Sequence, residues 1–114
     1  MVGKLEMGEP LLDLSDIIDL YKEDAKRMID KMQAALGRWE EVKQGGPARA
    51  DLRRLSHQLR GSGRTYGFRS VTRSCKAIEN IVFRLEKGEL AADERAKQSI
   101  RKKLESLVAA LKKS

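Results

Sequence analysis

From Leu14 to Val42 apolar side chains return at steps of three and four: Leu14, Ile17, Ile18, Tyr21, Ala25, Met28, Ile29, Met32, Ala35, Leu36, Trp39 and Val42. At roughly 100° per residue these positions share one face, so the segment predicts a long amphipathic helix. Asp13 or Ser15 is placed to cap its start by accepting backbone N–H bonds, and Asp16 and Asp19 suit the positive end of the helix dipole. Gly37 falls inside the stripe and weakens a helix there, so the pattern admits one long helix or a short helix followed by a longer one. Gln44-Gly45-Gly46-Pro47 then stops it.

A second helix starts near Pro47, tolerated in a first turn, and runs to Tyr66 with Leu52, Leu55, Leu59, Ser62 and Tyr66 inward; Gly67 ends it. The third takes Phe68, Val71, Cys75, Ile78, Val82 and Leu85 inward until Lys87-Gly88. The last turns Ala96, Ile100, Leu104, Leu107, Val108 and Leu111 inward and leaves Arg101, Lys102, Lys112 and Lys113 to water. Short connections between helices that each carry an apolar stripe predict an all-α, antiparallel up-down-up-down four-helix bundle over residues 13–114. Residues 1–12 are expected to form a loose tail, with Leu11 and Leu12 placed to dock against the bundle and room for an extra short N-terminal helix. No strand alternation, internal repeat or low-complexity run competes.

The 114 residues suffice for one domain, and the 40% hydrophobic, 36% charged composition with two prolines suits a helical globular chain. No apolar run approaches a membrane span and the N-terminus lacks a signal-peptide pattern, which together predict a cytoplasmic protein without membrane insertion. One cysteine and one histidine exclude an intramolecular disulfide and leave no zinc-type ligand set, so no metal site is expected; Cys75 reads as a small buried hydrophobe. Lysine and arginine exceed aspartate and glutamate by 24 to 17, a net charge of +7 that favours anionic partners at low salt. That charge is the sole support for an alternative, a small basic binding protein for nucleic acid or another anionic surface. No recognition-helix signature or interleaved aromatics accompany it, which makes nucleic acid the weaker choice.

The chemistry concentrates around His57. It lies opposite the inward stripe of the second helix and shares the outward stripe with Arg53, Arg54, Arg60, Gly61 and Arg64. The glycines at 61, 63 and 67 miss the spacing of both the dinucleotide fingerprint and the P-loop, and no strand precedes them. The run His57-x-Leu59-Arg60-Gly61-Ser62-Gly63-x-x-Tyr66-Gly67-Phe68 resembles histidine-containing phosphotransfer (HPt) domains. It is most similar to the N-terminal phosphotransfer domain of chemotaxis-type histidine kinases, which shares Gly-Phe after the histidine helix and a Glu-Asn before an apolar turn, here Glu79-Asn80-Ile81-Val82.

The resemblance implies a phosphorelay intermediate of two-component signalling: His57 as phosphoacceptor, exchanging its phosphoryl group with an aspartate of a response-regulator receiver domain, with an upstream histidine kinase as the first donor. It implies no intrinsic cofactor, Mg²⁺ on the receiver, and no kinase activity in the chain. Each residue type also has a physical reason. A neutral imidazole is a nucleophile near pH 7 when one nitrogen is free and the other held, and Glu79 is the expected holder, accepting the Nδ1 proton. Gly61 removes a side chain where a docking partner would clash. Arg60, where the family carries mostly lysine, and Lys76 place positive charge beside the phosphoryl group. Arg53, Arg54 and Arg64 form an arginine-rich rim suited to steering an acidic receiver surface. Small residues at 62 and 63 suit close helix packing.

Overall fold

The computed structural model describes residues 13–41, 46–91 and 93–113. Four helices follow one another: α1 (Leu14–Glu41), α2 (Gly46–Thr65), α3 (Arg69–Glu86) and α4 (Glu94–Lys113). The tail of residues 1–12, the docking of Leu11 and Leu12, Val42 and the Gln44-Gly45 half of the first stop signal lie outside the described residues.

Helix α1 is one unbroken helix of 28 residues, so Gly37 neither ends nor divides it. Its neighbours Ala35, Leu36 and Trp39 are buried in the core, and their burial outweighs the roughly 1 kcal/mol that a mid-helix glycine costs. The cap is Asp13, not Ser15. Oδ1 of Asp13 accepts the Asp16 backbone N–H at 2.9 Å and the Asp13 N–H reaches back to Asp16 Oδ2 at 3.4 Å, a reciprocal box that satisfies two otherwise orphaned donors. Asp93 does the same work for α4, its Oδ1 accepting the N–H groups of Arg95 and Ala96 at 3.1 Å.

Helices α2 and α3 both end on a glycine in the left-handed region. Gly67 has φ 81° and Gly88 φ 76°. Beyond each, an N–H bonds back five residues, Phe68 to Gly63 at 2.7 Å and Glu89 to Arg84 at 2.9 Å, closing the last turn while the chain reverses. The reversals make neighbouring helices antiparallel, and each of the four packs against two others in a closed ring.

The four stripes meet in one core that includes Ile29, Met32 and Trp39 of α1, Leu52 and Leu59 of α2, Cys75, Ile78 and Val82 of α3, and Ile100, Leu104 and Leu107 of α4. Four hydrophobic residues expected in the stripes stand outside it: Ile17 and Ile18 are only half-buried, and Leu14 and Tyr66 are exposed. Leu14 is 74% exposed, because α1 runs about 42 Å against about 30 Å for α2 and its first turn extends past its neighbours. Tyr66 is 40% exposed because it sits in the turn after α2, where its ring stacks on Tyr21 at 4.8 Å. Conversely, Ser56 is fully buried; its hydroxyl donates to the Leu52 carbonyl at 2.6 Å, so the helix itself satisfies it. None of the helices among the described residues is long and apolar enough to cross a membrane.

Candidate functional site

The outward face of α2 and the adjoining flank of α3 bring the chemistry together. Because the two helices run antiparallel, Gly63 meets Val71 and Thr72, His57 meets Glu79, and Arg53 meets Glu86. The register is fixed by the first of these contacts. A Cβ on Gly63 would come within 3.0 Å of Thr72 Oγ1 and 3.1 Å of Val71 Cγ1, so only glycine lets α2 lie this close to α3.

The His57 side chain is 65% exposed and its ring is anchored at one point. Nδ1 lies 3.0 Å from Oε2 of Glu79, whose side chain is 16% exposed. A carboxylate accepts and does not donate, so the ring tautomer that satisfies this contact carries its proton on Nδ1 and leaves the Nε2 lone pair free. One turn on, a Cβ at Gly61 would meet nothing within 4 Å, so open space adjoins the ring.

Arg60 stands against the holder. Its Nε is 3.1 Å from Oε1 of Glu79, an ion pair by distance, but the N–H is not directed at that oxygen, and the buried Oε1 has no hydrogen-bond donor among the described residues. Its Nη2 lies 3.2 Å from His57 Nδ1. The guanidinium therefore sits on the Nδ1 side of the ring. This three-way contact joins two helices and could not be read from the outward stripe of α2 alone.

The remaining cations are spread around this centre. Arg53 pairs with Glu86 at 3.2 Å and Arg54 with Asp51 at 3.4 Å, so both spend part of their charge within the chain. Lys76 and Arg64 are exposed and form no ion pair among the described residues. Cys75, one turn before Glu79, is fully buried. Burial, and after it the negative charge of Glu79, push its thiol up to about 12, which keeps it a thiol rather than a competing nucleophile. No group of three or more His, Cys, Asp or Glu among the described residues is arranged to hold a metal ion.

A protein-family model described as the Hpt domain matches residues 16–113, nearly the whole chain and all four helices. No curated protein and no solved structure matches significantly.

Proposed function

The chain belongs to the Hpt domain family, whose members carry phosphoryl groups on histidine in two-component phosphorelays, and from that membership we propose that His57 is its phosphoacceptor. The partner is a response-regulator receiver domain, and the exchange runs between Nε2 of His57 and a receiver aspartate. One observation carries the reading: an exposed imidazole held through Nδ1 by a largely buried carboxylate, with no hydrogen bond to its other nitrogen among the described residues.

The geometry suits each stage. The Nε2 lone pair attacks phosphorus in line as the bond to the aspartate oxygen breaks, and the aspartate leaves as a carboxylate. With its proton retained on Nδ1, the ring becomes cationic as the Nε2–P bond forms, and Glu79 across that proton stabilises the developing charge. The return transfer uses the same contact. Arg60 and Lys76 supply positive charge for the phosphoryl group, the open space at Gly61 admits the receiver, and Arg53, Arg54 and Arg64 steer it. Mg²⁺ belongs to the receiver, and the first phosphoryl group comes from an upstream histidine kinase.

The test compares wild type with His57→Gln, each incubated with kinases and phosphorylated receivers from the same source. Acid-labile label is expected on wild type alone. Equal labelling of the two proteins would remove His57 from the mechanism. Within the same assay, Glu79→Ala is expected to slow transfer and shift the ring away from the Nδ1–H tautomer; an unchanged rate and tautomer would leave Glu79 without a role.

A further inference from the structure

We infer that Arg60 exchanges partners on phosphorylation: paired with Glu79 in the resting protein, it moves to the phosphoryl group once Nε2 of His57 carries one, an inference that rests on His57 being the phosphoacceptor.

The resting guanidinium is poorly satisfied where it lies. Its Nε approaches Oε1 of Glu79 to 3.1 Å without directing its proton there, and the buried oxygen has no hydrogen bond among the described residues. Its Nη2 approaches His57 Nδ1 to 3.2 Å, yet that nitrogen is also 3.0 Å from Oε2 of Glu79. One nitrogen cannot donate a proton to the carboxylate and accept one from the guanidinium at once. With the proton on Nδ1, Nη2 faces an N–H and gains no hydrogen bond. What holds Arg60 is therefore Coulomb attraction to Glu79, on a side chain still 34% exposed and screened accordingly.

A phosphoryl group on Nε2 changes that balance. It adds a strongly negative group with three acceptor oxygens to the ring that the guanidinium already touches, and the arginine fork matches such oxygens two at a time. Exchange replaces one misaligned ion pair by aligned, charge-assisted hydrogen bonds. Arg53 is engaged by Glu86 and Arg54 by Asp51, and although Arg64 and Lys76 form no ion pair among the described residues, it is Arg60 that already lies 3.2 Å from the ring. Departure of Arg60 also has a consequence for Glu79. Its charge, no longer shared with a guanidinium, acts wholly on the Nδ1 proton of the ring that has just become cationic. Phosphorylation and the grip of Glu79 on the ring thus reinforce each other.

The chain has a single histidine, so in a tag-free protein every imidazole signal belongs to His57. Phosphoramidate serves as the donor: the Nε2–P bond forms, the P–N bond of the reagent breaks, and ammonia leaves, with no kinase or receiver involved. The arginine Nε–Hε resonances are followed by NMR before and after, with that of Arg60 assigned by its loss in Arg60→Lys. The expected result is a shift of the Arg60 resonance and slower exchange of its Hε with water on phosphorylation, neither occurring in His57→Gln given the same reagent. A phosphorylated ring with the Arg60 resonance unmoved overturns the exchange and leaves the phosphoacceptor intact, as does an equal shift in His57→Gln. A ring that phosphoramidate leaves unmodified overturns the phosphoacceptor itself, and the exchange falls with it.

Discussion

Gly61 and Gly63 lie two residues apart on α2 and face opposite worlds. At Gly63 a methyl group would press on Thr72 and Val71 at 3.0 and 3.1 Å, and the close approach of α2 to α3 accounts for the residue completely. At Gly61 the same methyl group would touch nothing within 4 Å. A glycine inside a helix costs about 1 kcal/mol relative to alanine, and no contact among the described residues recovers that cost at 61. The inner glycine is explained by the fold. The outer one, a turn from His57, has no such explanation in the fold, and under the proposed function it is the docking partner that requires it. Along this one helix, internal packing and the proposed docking surface fall on opposite sides.

Bulk added on the outer side should be felt by the docking partner and not by the fold. Gly61→Trp is expected to slow phosphoryl exchange with a receiver on the order of a hundredfold, because a partner displaced by even about an ångström loses its in-line geometry. Its unfolding free energy should stay within about 0.5 kcal/mol of wild type, as for other exposed substitutions. Labelling by phosphoramidate, which needs no docking, should survive. Loss of that labelling too, or a receiver rate equal to wild type, would mean that Gly61 is not an approach window. Bulk on the inner side has the opposite signature. Gly63→Val is expected to lower stability by about 1–3 kcal/mol, read from denaturant unfolding, because Val71 is fully buried and has no room to yield. At a temperature where the variant remains folded, its phosphoramidate labelling should match wild type. Undiminished stability would show that the α2–α3 contact relaxes at no cost.

How much of this was legible follows the same division. Features that depend on one helix and its period were readable: the stripes of α3 and α4, the stops at Gly67 and Gly88, and the outward placement of His57. Features that depend on the length or neighbourhood of a helix were not. The periodicity that put Leu14 in the stripe says nothing of where the adjacent helices end, and Tyr66 keeps the inward angle after the helix has stopped. Gly37 left α1 undecided because a cost of about 1 kcal/mol is smaller than the burial of Leu36 and Trp39 on either side. At the site, Glu79 was recognisable as the partner of His57 through a motif on a second helix, and the two do meet at 3.0 Å. Arg60 was placed by its own helix beside the phosphoryl position. Its contact with Glu79 depends on how α2 and α3 dock, and no periodicity in either helix encodes that.

The smallest expected effect tests the outer glycine most closely. Gly61→Ala adds one methyl group in open space within α2, so the free protein should gain about 0.5–1 kcal/mol from reduced chain entropy in the unfolded state and better helix propensity. Retaining glycine at this position is then a standing cost to the isolated domain. If the docking partner is what keeps it there, the same methyl group must slow exchange with the receiver while leaving phosphoramidate labelling alone, and by less than Gly61→Trp does. A gain in stability with no loss of receiver exchange would show that the surface tolerates a side chain, and would confine the approach window to residues larger than alanine. A loss of stability would instead mean that α2 is not an ordinary helix at Gly61, and the contrast with Gly63 would then be one of backbone strain rather than of inside and outside.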